Sequence, residues 1–349
     1  MAKPRVVIAG AGFAGVKTAK ALRGKADITL IAPTDRFVYL PLIHELVSEN
    51  ETPRGVSKRL TDIFQTATLV QGKVDAIEGK EAVLESGERI PFDYFVSAVG
   101  AEPNDFGIPG VRDHTFSFYS ISDALLANGN LKAAAARVYG RPVKVVVIGA
   151  SFTGVEVAGE VKELMEKLDV SHDIELLDAG TQIFPHQATE FQEGVSAALD
   201  ELGLKVRMGA TITGVEKGQV LLGDEVVKAD VILWCAGARP RHIEGVNPHT
   251  DLTLRDPDRD DVFIAGDAAL FDRELGIPKL AQTAEGQAPI VAHNILHPDR
   301  MKSYELDLKG VIVSIGQKRA VAQIGDTVMA GKIPWHLKKR LYKTKILLY

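Results

Sequence analysis

Cysteine is almost missing from this chain of 349 residues: Cys235 is the only one. It can form neither an intramolecular disulfide, nor a CxxC redox pair, nor a thiolate zinc cage, so any redox chemistry has to come from a bound cofactor. Aromatic residues are sparse at 6%, and the longest stretch without Asp, Glu, Lys or Arg is the thirteen residues 286–298. A spanning helix asks for ~18 or more apolar residues, so no membrane crossing is expected. A secretory leader is not expected either. The apolar run 6–9 follows two basic residues, but glycines interrupt it and no cleavage site follows a long apolar core. It reads as the buried first strand of a cytoplasmic protein.

Glycine, by contrast, is plentiful at 32 residues, within a composition of 46% apolar and 25% charged residues that is ordinary for a globular chain. The length suggests two domains. Charge is unevenly spread. Lys332, Lys338, Lys339, Arg340, Lys343 and Lys345 give residues 332–349 a charge of +6, and subtracting it from the total of −5 leaves −11 for everything before. A basic tail on an acidic body points to an anionic surface as partner of the tail and speaks against nucleic acid binding by the body.

Two β-branched runs, 6–9 and 145–148, each lead into a glycine-rich turn, a stretch of helical periodicity and a further apolar run, 28–31 and 174–177. A β-turn-α-β unit of this kind builds a parallel sheet covered by helices, and here it occurs twice. More strands are expected over 69–77, 82–84, 94–99, 220–222, 231–234, 262–265 and 311–315 and near 206, with an Ala-rich helix over 122–138 and a hinge at Pro142. The expected class is α/β with two Rossmann-like dinucleotide-binding domains.

The first turn, Gly10-Ala11-Gly12-Phe13-Ala14-Gly15, satisfies GxGxxG. Its first glycine makes the turn, the second admits a pyrophosphate, and the third lets helix and strand pack closely. The acid that would bind ribose hydroxyls is missing from the end of the next strand, which closes at Ala32; Asp35 is either its substitute or a solvated turn residue. The second turn, Gly149-Ala150-Ser151-Phe152-Thr153-Gly154, has serine at the middle position, and its following strand does end in an acid, Asp178. That carboxylate suits a free 2′-hydroxyl and would repel a 2′-phosphate, favouring NADH over NADPH. Two dinucleotide folds with one cysteine and no metal cluster suggest a flavin and a nicotinamide exchanging a hydride.

With these two turns the chain resembles the two-dinucleotide-binding-domain flavoproteins, and most closely the type II NADH:quinone oxidoreductases, over most of its length. Residues 37–43, Phe-Val-Tyr-Leu-Pro-Leu-Ile around Pro41, are similar to that family's loop beside the flavin. Ala98 to Gly100 and Cys235 to Gly237 are similar to its paired crossings between domains, and Thr153 to Glu160 to its Thr-Gly-Val-Glu-Leu-Ala-Gly-Glu helix. Residues 262–267 resemble the strand whose Asp, here Asp267, bonds the flavin ribityl chain. Singly, Pro41 could be a turn, Asp267 a helix cap and Glu156 a first-turn acid. The family's Ala-Gln-x-Ala-x-Gln segment is matched by residues 281–287 with a departure: Gly286 stands where the second Gln belongs, and Gln287 follows it. One helical step is ~100° of rotation, so the departure bears on the quinone side of the site more than on flavin binding.

The resemblance implies FAD and NADH as cofactors and a quinone as acceptor, without proton pumping. FAD would take Gly10, Gly12, Phe13, Ala14, Gly15, Asp35, Pro41, Val74, Ala98, Gly100, Asp267, Gln282 and Thr283. NADH would take Gly149, Ser151, Phe152, Thr153, Gly154, Asp178 and Gly237. Glu156 is the candidate proton or positioning group at the nicotinamide, and Gln282 and Gln287 would face the quinone. The expected division is a discontinuous FAD domain over 1–115 and 248–297, an NADH domain over 116–247, and a C-terminal segment 298–349 whose basic, aromatic and aliphatic tail lies on the inner face of the cell membrane. A dimer-interface or lid helix is the other reading of that tail, and a homodimer is left open. A soluble ferredoxin- or apoptosis-inducing-factor-like reductase and an NADH/FAD redox sensor are the rival functions.

Overall fold

The computed structural model describes residues 2–349. Contacts divide the chain into two compact units: one runs to Val38 and takes up Ser57–Glu102 and Arg239–Leu308, and the other consists of Tyr39–Val56, Pro103–Ala238 and Lys309–Tyr349. Five of the helices position the functional residues: α1 (Phe13–Leu22), α2 (Ile121–Arg137), α3 (Phe152–Lys167), α4 (Ala281–Leu296) and α5 (Lys332–Leu348).

The first unit is built on a five-stranded parallel sheet in the order Val262–Ile264, Tyr94–Ser97, Arg5–Ala9, Asp27–Ala32, Thr68–Gln71. Arg5–Ala9 lies in the middle, with Ile8 opposite Leu30 on one side and Val96 on the other. A central parallel strand is covered on both faces, which is why Val6, Val7, Ile8 and Ala9 form an unbroken apolar run and are all buried. Helices α1 and α4 pack along each other. The single strand expected over 69–77 is two: Thr68–Gln71 ends the parallel sheet, and Val74–Glu78 opens a separate antiparallel sheet with Glu81–Leu84 and Arg89–Pro91. Gly72 separates them at a point where a Cβ would lie 2.9 Å from Leu84.

The second unit repeats the plan with four parallel strands, Lys205–Arg207, His172–Leu177, Val143–Ile148 and Val231–Trp234. It differs from the expected division at several places: residues 239–247 and 298–308 fall in the first unit, and residues 103–115 fall in this one. The segment 39–56 belongs to it through the 3-10 helix Leu40–Leu46, which packs on α2 and α3. Nor do residues 309–349 form an appendage. Val311–Ser314, Ala320–Ile324 and Thr327–Gly331 make an antiparallel sheet, and α5 packs on all three strands. The last two of these strands are not evident in the sequence because they are short and rich in small residues, with no clean alternation. Among the described residues no helix is long and apolar enough to cross a membrane.

The C-terminal sheet meets α3 at a backbone-to-backbone approach. A Cβ on Gly159 would lie 2.3 Å from the amide nitrogen of Gly316. Overpacking at such a point costs roughly 1–3 kcal/mol, because backbone cannot swing aside as a side chain can. Gly159→Ala is therefore expected to lower the unfolding free energy measured in urea by about that much, and an unchanged value would show that the two backbones separate freely.

Candidate active site

In the first unit the glycine turn is shaped by contacts that leave no room for side chains. Gly10 has φ of +106°, and a Cβ there would lie 2.2 Å from the carbonyl oxygen of Ala98. A Cβ on Gly15 would lie 1.9 Å from the carbonyl oxygen of Gly10, whereas one on Gly12 would meet nothing within 4 Å. The turn is thus closed beneath and open above. Gly12 caps α1 without a side-chain bond, so the first-turn amides face that open side, the arrangement that receives a phosphate. Phe13 and Phe37 are buried edge to face with ring centroids 5.3 Å apart and tie the start of α1 to the unit's core.

The Gly266–Asp267 turn abuts the same helix end: a Cβ on Gly266 would lie 3.2 Å from that of Ala14. Burial raises the Asp267 carboxyl above the usual range. Lys279 bonds the backbone carbonyl of Asp267, and among the described residues no donor reaches the carboxyl itself. An open glycine, uncapped amides and an acid without a protein donor fit the pyrophosphate and sugar-type hydroxyls of a dinucleotide. Val74 is buried at the start of its sheet, and Gly100 adopts φ of +74° with open space around it. Asp35 is exposed in the turn beyond Ala32, where its backbone carbonyl accepts from Leu60.

Gln287 departs from expectation. Its side chain is fully buried, and Oε1 accepts the Gly266 amide at 2.6 Å. It braces the Gly266–Asp267 turn from within. At the neighbouring position the Tyr304 ring fills the place of a side chain, since a Cβ on Gly286 would lie 3.1 Å from it. Gln282, a turn earlier on α4, is partly exposed, and Thr283 is buried.

In the second unit Gly149 and Gly154 reproduce the closed floor, with Cβ positions 2.8 Å from the amide of Ala236 and 1.7 Å from the carbonyl of Gly149. Ser151 occupies the N-cap of α3, is exposed, and makes no capping bond, so these first-turn amides also stay open. Thr153 is exposed beside it. The Phe152 ring is committed to a cluster with Phe184 and Phe191, with centroids 4.8 and 6.4 Å away, which leaves only its backbone to face a nucleotide. Asp178 accepts from the amides of Ala150 and Gly180, both at 2.7 Å, and thereby holds the turn while keeping lone pairs for a ribose. Gly237 lies against the Phe106 ring, and its carbonyl accepts from the Tyr119 hydroxyl at 2.8 Å.

Further along α3 lies a buried polar cluster that the sequence suggests only at Glu156. The carboxylate of Glu156 is paired with Lys338 of α5, and Lys338 also donates to the Ser314 hydroxyl at 2.7 Å. The Ser314 amide donates to Glu156 at 3.2 Å, and His44 Nδ1 stands 3.5 Å from its second oxygen. Burial and the charge of Lys338 push His44 down to about 3, so the imidazole is neutral. Lys339 pairs with Glu45, and Pro41 is in the same 3-10 helix as Glu45. Two of the six tail cations therefore point inward. The spacing of Glu156, Glu160 and Glu163 along one helical stripe is the signal that could have revealed this cluster.

The profile of the pyridine nucleotide-disulphide oxidoreductase family matches residues 4–288, most of the chain. The chain belongs to this family. A relative from Mycobacterium tuberculosis, type II NADH:quinone oxidoreductase Ndh, is 28% identical over 98% of this chain and 86% of its own length. The alternative NAD(P)H-ubiquinone oxidoreductase C1 of Arabidopsis thaliana is 25% identical over 84% of this chain and 67% of its own. The structure of NDH2 from Plasmodium falciparum in complex with NADH matches with a TM-score of 0.85 at 16% identity, covering 98% of this chain and 94% of that one, which establishes a common fold. As a member of the pyridine nucleotide-disulphide oxidoreductases this chain lacks the cysteine pair behind the family name.

Two shifted groups set a pH dependence. Burial raises Glu160 from 4.5 to about 8, so its contribution to stability is complete below 4.5 and is lost as pH rises through 8. The lowered His44, ordinarily near 6.5, contributes fully above 6.5 and loses its contribution only as pH falls toward 3. Of these two groups only Glu160 loses its contribution between pH 6.5 and 8, so urea titrations across that window should show stability falling, and less steeply in Glu160→Gln. An equal slope in the variant would mean that Glu160 is ionised in the folded protein.

Proposed function

We propose that this chain is a flavin-dependent NADH:quinone oxidoreductase acting at a membrane surface. The observation that carries the reading is the presence, in one chain, of two glycine turns with closed floors and open amides, Gly10–Gly15 and Gly149–Gly154, each with an acid at hand. Bound FAD would supply the two-electron carrier, and the first turn with Asp267 would hold it. The second turn would hold the pyrophosphate of NADH, with Asp178 taking ribose hydroxyls and disfavouring a 2′-phosphate. Quinone as acceptor is supported by the names of the relatives, which match nearly the whole chain.

What the chain's own residues contribute is placement and proton control. Lys338 keeps the buried carboxylate of Glu156 compensated, and neutral His44 and the Ser314 hydroxyl complete its surroundings. Glu156 would hold or pass a proton at Oε1 or Oε2, and Gln282 would bond the acceptor. Positioning of donor and acceptor can contribute ~7–11 kcal/mol to a barrier, which is where most of the catalysis would lie.

The membrane contact would be the outer face of α5. Ile333, Leu341, Leu347 and Leu348 are exposed along it, and so are Lys332, Arg340 and Lys343. An apolar strip beside a basic one suits an anionic leaflet, here the cytoplasmic one where NADH is available. Because Lys338 and Lys339 are used internally, the electrostatic contribution falls well short of what six free cations at ~1 kcal/mol each would give.

Anaerobic stopped flow on the flavin-loaded protein should show bleaching by NADH and recovery with a short-chain quinone, and Asp178→Asn should raise the NADH KM far more than the quinone KM. Bleaching without quinone-driven recovery would transfer the reading to a protein acceptor or a redox sensor. Changing Arg340 and Lys343 together to Glu should weaken sedimentation with anionic vesicles by at least about tenfold. Undiminished sedimentation would remove α5 as the contact.

A further inference from the structure

Near the second glycine turn the chain holds a phenylalanine in a backbone conformation that its side chain disfavours. The amide of Ile108 donates to the carbonyl of Asp105 at 2.8 Å, which closes a four-residue turn. Both central residues have positive φ, +51° at Phe106 and +73° at Gly107, the type I′ pattern. Glycine, asparagine and aspartate suit the first of these positions, whereas the Cβ of phenylalanine strains it. Neighbouring bonds enforce the strain. Asn104 Oδ1 accepts the Phe106 amide at 3.0 Å, Asp105 Oδ1 accepts the Gly107 amide at 3.1 Å, and Trp234 Nε1 donates to the Asn104 carbonyl at 3.0 Å.

What the strained turn secures is the place of the ring. The tip of Phe106 lies on Gly237, where a Cβ would be 2.3 Å from Cζ, and yet the residue is 59% exposed. A side chain more than half in water gains little from packing, so burial does not account for the strain. The backbone beneath it is fixed as well, since the Tyr119 hydroxyl donates to the Gly237 carbonyl.

The position of the ring along the sheet says what it meets. The parallel strands of this unit lie in the order Lys205–Arg207, His172–Leu177, Val143–Ile148, Val231–Trp234, and a dinucleotide lies across the carboxyl ends of such strands. Asp178 follows the second strand in this order, the glycine turn follows the third, and Cys235 to Gly237 follow the fourth. The last two are in direct contact, because a Cβ on Gly154 would lie 3.4 Å from that of Cys235. With the adenosine ribose at Asp178 and the pyrophosphate at the first amides of α3, the remaining half of the nucleotide is carried to the fourth strand end, where the Phe106 ring stands.

We infer that Phe106 is the wall against which the nicotinamide riboside of NADH packs, a positioning residue whose exposed ring is covered when the nucleotide binds. The inference rests on the proposed binding of NADH at the second turn. A flat apolar ring offers an aromatic heterocycle an offset or edge contact, and the bonds that hold the turn keep the ring in place before the ligand arrives. The strained backbone thus gives up some stability for pre-organisation.

The test is calorimetric binding to the full, flavin-loaded chain with two probes: ADP-ribose, which has no nicotinamide, and a tetrahydro derivative of NADH, which has a neutral ring but gives no hydride. Phe106→Asn removes the ring and suits the left-handed turn, so its urea midpoint should equal or exceed that of the wild type. It should bind the tetrahydro derivative at least about tenfold more weakly and ADP-ribose within about twofold of the wild type, as the loss of one aromatic contact requires. Phe106→Tyr, which keeps the ring, should bind both probes as the wild type does. Unchanged affinity of Phe106→Asn for the tetrahydro derivative, or an equal loss for both probes, would overturn the assignment. So would a lower urea midpoint in both Phe106→Asn and Phe106→Gly, the mark of a ring that serves the fold. Failure of the wild-type chain to bind either probe would instead overturn the proposed NADH site, and the role of Phe106 with it.

Discussion

The carboxylate of Glu156 is buried near the N-terminal end of α3, and a lysine from the last helix of the chain is what makes that burial tolerable. An isolated carboxylate in such surroundings would lose far more in hydration than it could recover from neutral donors, and removing one partner of a buried pair typically costs ~3–5 kcal/mol. The pair therefore fixes more than itself. Lys338 can reach Glu156 only if α5 lies on the antiparallel sheet of residues 311–331, and that sheet can approach α3 only because Gly159 and Gly316 meet without side chains. A residue near the proposed nicotinamide site, the C-terminal sheet and the proposed membrane-facing helix are in this way parts of one electrostatic and steric arrangement. Burial first, and then the charge of Lys338, keep His44 neutral beside the pair.

The C-terminal helix consequently serves two environments at once. Its inner face presents Lys338, with the Tyr342 ring tilted against that of Tyr39 at 5.3 Å between centroids, and burial raises the Tyr342 hydroxyl. Its outer face carries the exposed aliphatic and basic residues. A helix tethered by two inward ion pairs presents its outer side chains in a fixed order, as the proposed membrane contact would need. Cutting the tail away would strip the cations from Glu156 and Glu45, so deletion confounds membrane attachment with the integrity of the polar cluster, whereas charge reversal at exposed positions does not.

Much of this was legible in the sequence because it depends on local rules. Gly10, Gly15, Gly149 and Gly154 announce close backbone approach, the unbroken apolar strands announce a sheet covered on both faces, and Asp178 stands directly after its strand. What stayed hidden depends on contacts between residues far apart in the chain. The tail cations read as a solvated basic face, and nothing near Lys338 in sequence indicates that Glu156, 182 positions earlier, requires it. Gln287 read as a displaced pocket residue, although its side chain turns inward to hold Gly266, and the reason for Gly286 became visible only with the Tyr304 ring against it. The hairpin of residues 320–331 was missed because small residues at short strand lengths carry little periodic signal.

The stripe of acids on α3 shows how one helix can solve the same physical problem in three ways. Glu156 is held charged by a cation, Glu160 is held neutral by burial and by neighbouring negative charge, and Glu163 sits at the boundary where amides and an exposed lysine share the work. The uneven distribution of cations among three carboxylates is therefore what allows one face of α3 to be a packing surface although it carries three acids.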